Sequence, residues 1–192
     1  MERRSRLAAS PTPAEIRSDL PTTVSLVGMP GSGKTTVGRA VAERLALRFV
    51  DCDNAIEARA GRSIAALFER DGEAAFRELE STLLRELVSV PGTLVSTGGG
   101  VVLSRENREL LRTQTRCVYL RASHELLWRR LRRDRRRPLL RVADPEARLR
   151  EMSAAREPLY EETATIVIDT QALTFDRLVD AVVRRIAGDP AP

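Results

Sequence analysis

Short apolar runs rich in β-branched residues alternate along this chain with longer stretches whose apolar residues recur every three or four positions. After the first run, for example, Val37, Val41 and Leu45 stand at helical spacing. Runs of the first kind predict five strands, at 22–28, 48–51, 92–97, 116–121 and 165–169. Stretches of the second kind predict helices at 33–47, 55–60, 64–70, 73–88, 104–113, 123–131, 144–156 and 174–187. The alternation predicts an α/β fold of three layers, in which helices cover both faces of a parallel, five-stranded sheet.

The limits of this pattern predict the domain organisation. Residues 1–20 include Pro11 and Pro13 and show no sustained apolar period, so we expect a disordered N-terminal extension. From 21 to 188 the pattern continues without an internal repeat or a second boundary. We therefore expect one domain over 21–188.

Composition narrows the class of protein. Hydrophobic residues make up 42% of the chain and charged residues 31%, which is typical of a globular protein and excludes wholesale disorder. No apolar run approaches the roughly 18–20 residues that span a bilayer, and the basic N-terminus lacks the apolar segment of a secretory signal. Two cysteines, Cys52 and Cys117, are too few for a disulfide framework. We expect a cytoplasmic protein with reduced thiols and no membrane partner.

Positive charge is concentrated in one segment. The chain has 32 basic residues and a net charge of +5, and its single lysine is Lys34. Segment 129–141 alone holds eight arginines against Asp134, a net charge of +7, so the rest of the chain is slightly acidic. A local excess of this kind indicates a site for an anion, whereas a nucleic-acid-binding protein would present a generally basic surface.

Residues 28–35 fit the phosphate-binding pattern G-x-x-x-x-G-K-[ST] at every fixed position, between a predicted strand and a predicted helix. Glycines let the backbone wrap closely around phosphate oxygens, and the free N–H groups at the start of the helix face the anion. Lys34 adds a positive charge at the transferring phosphate, and Thr35 supplies a hydroxyl for Mg²⁺. The motif predicts a nucleoside triphosphate site formed by Gly31, Ser32, Gly33, Lys34, Thr35 and Thr36.

Two aspartates follow the second predicted strand. Because the carboxyl ends of parallel strands share one edge of a sheet, we expect Asp51 beside the phosphate-binding loop, where a carboxylate can hold Mg²⁺ directly or through water. Asp53 has the spacing to face a second pocket. As an alternative, Asp53 caps the helix that follows it.

Three further features each have a functional and a structural interpretation. Arg77 and Glu80 are three residues apart on one helix, where they form either part of a site or an ordinary surface ion pair. Glycines 98–100 directly follow a strand, which favours a place where another group approaches the main chain, although a flexible loop is the alternative. Arg156 precedes a proline, and taken alone it is a solvated cation at the end of a helix.

Taken in order, these pieces resemble shikimate kinase. The resemblance spans about residues 23–187, and six segments with family-like spacing carry it: GMPGSGKTTVGR (28–39), FVDCDNAIE (49–57), GRSIAALFERDGEAAFRELE (61–80), STGGGVV (96–102), RRRPLL (135–140) and AREPLY (155–160). Each segment is weak evidence by itself, but the set is not shared by gluconate kinases or nucleotide kinases. The resemblance implies a P-loop kinase fold with a mobile lid at about 129–145.

The resemblance also implies roles for the residues of the acceptor site. Asp53 would hydrogen-bond the ring hydroxyls of the acceptor and is the candidate base. Arg77 and Arg156 would clamp its carboxylate, a bidentate task suited to guanidinium groups, and Glu80 would orient them. Backbone contacts to the substrate would come from Gly98, Gly99 and Gly100.

Roles on the nucleotide side follow in the same way. Asp51 and Ser96 would serve one Mg²⁺ ion, bound with ATP, through water. Arg137 would reach over the ATP phosphates from the lid and take part in catalysis with Lys34. The run of arginines leaves the choice between Arg137 and Arg136 open by one position, and most members of the run form a solvated helix face.

The function implied is transfer of phosphate from ATP to the 3-hydroxyl of shikimate, giving shikimate 3-phosphate and ADP in the route to chorismate and the aromatic amino acids. We expect a monomer that acts on these two small molecules and binds no nucleic acid. Two alternatives stay open from the residues alone. One is a kinase for a nucleotide or another small metabolite, and the other is a ligand-sensing domain without activity.

Overall fold

The five predicted strands form a single sheet in which every strand runs in the same direction. The computed structural model describes residues 23–132, 142–171 and 173–188. The strands are β1 (Thr23–Val27), β2 (Arg48–Asp51), β3 (Thr93–Ser96), β4 (Thr115–Arg121) and β5 (Ile166–Asp169). They lie in the order β2-β3-β1-β4-β5, so the phosphate-binding loop leaves the central strand. The predicted fold class, a parallel sheet of five strands within an α/β fold, is confirmed.

Helices cover both faces of this sheet. They are α1 (Lys34–Arg44), α2 (Cys52–Ala60), α3 (Ile64–Val88), α4 (Arg105–Gln114), α5 (His124–Leu131), α6 (Pro145–Thr163) and α7 (Phe175–Ala187), with a short 3₁₀ turn at Val101–Leu103. In β1, Val24 and Leu26 belong to the apolar core under α1 and α7, whereas Val27 belongs to the core under α2 to α6. Alternate side chains of a buried strand therefore supply two separate cores, which is why these strands are apolar throughout.

The predicted helices agree with the structure around Gly72 and differ from it after the second strand. In the segment 64–88 the backbone of Gly72 is not helical (φ 82°, ψ 170°), so two helical parts meet there at a kink, and the prediction of two helices, at 64–70 and 73–88, is confirmed. Helix α2 begins at Cys52 and is capped by Asp51, whose side chain accepts hydrogen bonds from the backbone N–H groups of Asp53 and Asn54. The alternative in which Asp53 is the cap was therefore wrong, because the helix starts three residues earlier than its apolar period suggests.

Helix α6 is longer than its sequence predicts. It continues through Pro158 to Thr163, although an internal proline lacks the N–H group that would continue the hydrogen-bond ladder. Leu149, Met152 and Tyr160 along it are all buried in the core. Packing of this apolar face carries the helix past the proline, and the predicted end near residue 156 was wrong.

The strand register brings the functional segments to one edge. Asp51 of β2 lies opposite Ser96 of β3, and Ser96 lies opposite Leu26 of β1. Consequently the phosphate-binding loop, the start of α2 and the three glycines all emerge at the same carboxyl edge, as expected for a parallel sheet. Within the described ranges, none of the helices has both the length and the apolar character needed to cross a bilayer.

Candidate active site

The phosphate-binding loop wraps around the start of α1. Gly33 precedes the helix in the left-handed region (φ 101°), so no side chain caps the helix and its first N–H groups face outward. Lys34 is buried, and its Nζ donates to the carbonyl oxygens of Gly28 at 2.8 Å and of Met29 at 3.0 Å. These contacts hold the only lysine of the chain within the concave face of the loop.

A hydroxyl and a carboxylate meet beside this loop. The Oγ1 of Thr35 donates to Oδ2 of Asp51 at 2.7 Å, and the other carboxylate oxygen of Asp51 caps α2. No group of three or more His, Cys, Asp or Glu side chains in the described part of the chain could hold a metal by itself. A hydroxyl and one carboxylate suit Mg²⁺, which keeps several waters and takes further oxygens from substrate phosphates.

Asp53 and Glu80 approach Gly98 from two different helices. A side-chain carbon at Gly98 would stand 3.0 Å from Oδ1 of Asp53 and 2.6 Å from Oε1 of Glu80. The two carboxylates therefore flank the same backbone carbon, and only glycine leaves room for both. Asp53 also lines the cleft that contains the phosphate-binding loop.

Arg77 forms ion pairs with two glutamates of its own helix, of which one is buried. Its Nη1 donates to Oε2 of Glu80 at 2.7 Å, and its Nη2 lies 3.1 Å from Oε1 of Glu73. A side-chain carbon at Gly100 would clash with the guanidinium, lying 2.7 Å from Cζ. The Glu80 side chain is only 2% exposed, so the interpretation as an ordinary surface ion pair was wrong.

The electrostatics of these ion pairs favour a charged arginine beside a carboxylate whose pKa is raised. Burial raises the pKa of Glu80 more than the neighbouring Arg77 lowers it, and Asp53 raises it further. Burial alone would lower the pKa of Arg77, but its pairing with Glu80 and Glu73 outweighs burial and raises the pKa overall. Oε1 of Glu80 is buried without a hydrogen-bond partner in the structure. The cup that Asp53, Arg77 and Glu80 form around Gly98 and Gly100 thus keeps a permanent positive charge on Arg77.

Arg156 comes to the same place from α6. It is 7% exposed, and its Nη1 donates to the carbonyl oxygen of Gly99 at 3.3 Å. The hydroxyl of Tyr160, one turn further along the helix, donates to the same oxygen at 2.5 Å. A solvated cation at a helix end is therefore the wrong interpretation of Arg156.

The three glycines join the two halves of the site. Asp53 lies at Gly98, Arg77 at Gly100 and Arg156 at the carbonyl of Gly99. A side-chain carbon at Gly99 would lie 2.7 Å from Cδ of Pro30 in the phosphate-binding loop. The predicted acceptor residues thus converge on one short segment that also contacts the nucleotide loop.

Some cleft residues were missed in the sequence. The cleft has a volume of about 490 Å³, and besides the phosphate-binding loop, Asp51 and Asp53 it is lined by Arg130, Leu173 and Phe175. Nη1 of Arg130 donates to the carbonyl oxygen of Gly31 at 2.9 Å. For Leu173 and Phe175 the sequence held a signal, because the segment after the last strand starts at the same sheet edge as the phosphate-binding loop.

Two predicted residues lie outside the described part of the chain. These are Arg137 and its alternative Arg136, together with most of the predicted lid. Of the neighbouring arginines that are described, Arg129 and Arg132 are exposed, as expected for a solvated helix face.

Known proteins are similar to this chain in both sequence and fold. The family model described as shikimate kinase matches residues 30–187. The chain belongs to the shikimate kinase family. The shikimate kinase of Bordetella avium is 47% identical to it over 173 residues, which are 90% of this chain and 82% of that protein. The two matches confirm the family that the six segments of the sequence indicated.

Solved structures agree with the assignment to the shikimate kinase family. The structure of shikimate kinase from Acinetobacter baumannii in complex with shikimate has a TM-score of 0.85 and 38% identity, and it covers 90% of this chain and 97% of its own. A gluconokinase from Sinorhizobium meliloti, at 19% identity and a TM-score of 0.61, shares the fold alone.

Proposed function

We propose that this member of the shikimate kinase family transfers the γ-phosphoryl group of ATP to the 3-hydroxyl of shikimate, giving shikimate 3-phosphate and ADP in the route to chorismate and the aromatic amino acids. The observation that carries the proposal is the convergence at glycines 98–100. Two arginines and the carboxylates of Asp53 and Glu80 meet there, directly beside a loop built for phosphates. This combination suits a small acid that also bears hydroxyl groups.

On the nucleotide side, the backbone amides at the start of α1 and the Nζ of Lys34 bind the phosphates. The rest of the proposed phosphate site is formed by Gly31, Ser32, Gly33, Thr35 and Thr36. Mg²⁺ bound with ATP would neutralise charge on the phosphate oxygens, and Thr35, Asp51 and Ser96 are the residues that would hold it. Their hydroxyl and carboxylate oxygens are the hard ligands this ion prefers.

On the acceptor side, Arg77 and Arg156 grip the carboxylate of shikimate. Arg77 is pre-oriented by Glu80, so little side-chain freedom is lost when the acid binds. Asp53 then accepts a hydrogen bond from the hydroxyl that attacks phosphorus and aligns it with the γ-phosphate. A loose transition state requires little help from a base, so alignment is the main contribution of Asp53.

Arg137 is proposed to contact the transferring phosphoryl group from the lid, with Arg136 as the alternative. An arginine in this role contributes roughly 10³–10⁵ in rate in related phosphotransferases. We also propose that the enzyme acts as a cytoplasmic monomer, without a nucleic-acid partner. The confinement of excess positive charge to 129–141 supports the absence of nucleic acid.

Release of ADP that depends on shikimate, followed in a coupled assay, tests the reaction. Absence of this release, with ATP binding intact, would reject the proposed function. The Asp53→Asn variant tests the role of the carboxylate, since turnover is expected to fall about 100-fold or more while ATP affinity stays nearly unchanged.

A matched control for this variant is available in another helix. Glu106 also lies in the first turn of its helix and is exposed, so Glu106→Gln removes a comparable charge from a side chain that does not line the cleft. This variant should keep full turnover. A loss of turnover in Asp53→Asn no larger than that of the control would remove Asp53 from the reaction.

A further inference from the structure

Two donors from one helix meet on a single backbone oxygen. Arg156 and Tyr160 are four residues apart on α6, and both donate to the carbonyl of Gly99, at 3.3 Å and 2.5 Å respectively. The hydroxyl of Tyr160 makes the shorter contact. Gly99 is half-buried, so these two side chains supply donors to an oxygen that has lost part of its access to water.

Tyr160 is held in place from several sides. Its side chain is fully buried, and its ring stacks on that of Tyr119 with centroids 5.1 Å apart. Its hydroxyl also lies 3.8 Å from the sulfur of Met29 in the phosphate-binding loop. Burial raises the pKa of Tyr160, so the hydroxyl keeps its proton and acts as a donor.

We propose that Tyr160 is a positioning residue for the acceptor site, where its hydroxyl satisfies the carbonyl of Gly99 and so leaves the guanidinium of Arg156 available to the carboxylate of the acceptor. This inference rests on the proposed function of Arg156. If the hydroxyl is removed, Arg156 becomes the sole donor to that oxygen. The acceptor carboxylate must then compete with the carbonyl of Gly99 for the same N–H groups.

The Tyr160→Phe variant tests this in the full-length enzyme, because it removes one oxygen and keeps the ring. The KM for shikimate should rise about tenfold, which corresponds to one displaced hydrogen bond. The KM for ATP should change less than about twofold. Tyr119→Phe is the matched control, since it removes a hydroxyl from the same aromatic pair without touching Gly99, and it should leave both KM values unchanged.

A double variant separates positioning from a general loss of structure. Arg156→Ala alone should raise the KM for shikimate. Adding Tyr160→Phe to it should raise that KM less than about twofold further, because Tyr160 acts through Arg156. Additive effects would overturn the proposal, as would equal effects on the KM for ATP and for shikimate. If the wild-type enzyme turns over shikimate and Tyr160→Phe behaves like it, only the role of Tyr160 fails. If the wild-type enzyme shows no such turnover, the proposed function itself fails.

Discussion

Removal of Arg77 should weaken the enzyme in two separable ways. The side chain is 22% exposed and holds Glu80, which is 2% exposed, through a hydrogen bond of 2.7 Å. Arg77→Ala therefore deletes a cation proposed to grip the acceptor, and it also leaves a buried carboxylate without its counter-charge. A rise in the KM for shikimate alone would not distinguish the two effects.

The structure sets the size of each effect. Breaking a fully buried ion pair costs about 3–5 kcal/mol, and the partial exposure of Arg77 together with its second contact at Glu73 lowers this to roughly 2–3 kcal/mol of unfolding free energy. Loss of a charge-assisted hydrogen bond to the acceptor amounts to about 1.5–3 kcal/mol, or roughly 10- to 150-fold in the KM for shikimate.

A double variant distinguishes them. Arg77→Met with Glu80→Gln removes both charges, and an apolar or neutral replacement of a whole pair is close to neutral for stability. We expect urea unfolding of the double variant to recover to within about 1 kcal/mol of wild type. Steady-state kinetics at saturating ATP should still show the raised KM for shikimate. Recovery of that KM together with stability would refute a direct contact between Arg77 and the acceptor.

Two other predictions concern the electrostatics of the cup and the nucleotide cleft. Burial raises the pKa of Glu80 above its ordinary value of 4.5, so the carboxyl of Glu80 stays protonated to a higher pH in the folded protein than in the unfolded chain. Urea titrations give the unfolding free energy of wild type and of Glu80→Gln at each pH. The value for wild type minus the value for the variant should fall as pH rises from about 4.5, by at most about 1.4 kcal/mol per pH unit. A constant or rising difference would contradict this. Phe175 is 48% exposed and lines the cleft, so Phe175→Ala should raise the KM for ATP about five- to tenfold through lost stacking and leave that for shikimate unchanged. Leu103→Ala removes a similarly exposed apolar side chain that does not line the cleft, and an equal effect there would refute a contact between Phe175 and ATP.

The nucleotide half of the site could be predicted from the sequence because its parts are local. The loop 28–35 carries its own chemistry, and the strand before it and helix after it give it one geometry. The position of Asp51 beside Thr35 follows from the rule that parallel strands end at one edge, and the 2.7 Å contact agrees with it. Only adjacent elements and their direction were needed for this part.

The acceptor half depends on contacts between distant elements, which periodicity does not reveal. Arg156 becomes buried because α6 continues past Pro158 and packs its apolar face on the core. The sequence signal at the proline indicates a helix end, and tertiary packing overrides it. Arg130 was obscured for another reason, since it is one of several arginines of similar pattern and only its contact with Gly31 distinguishes it.

Close contacts with other side chains, and not the flexibility of a loop, account for the three consecutive glycines at 98–100. Each meets different side chains: Gly98 the carboxylates of Asp53 and Glu80, Gly99 the proline of the phosphate-binding loop, and Gly100 the guanidinium of Arg77. Three glycines lose roughly 0.5–1 kcal/mol each relative to alanine, so a merely flexible loop would gain nothing from keeping all three. Close approach at every position explains the run. The segment is better described as a closely packed floor that contacts both the phosphate-binding loop and the predicted acceptor residues, with Arg156 and Tyr160 of α6 bonded to its central carbonyl.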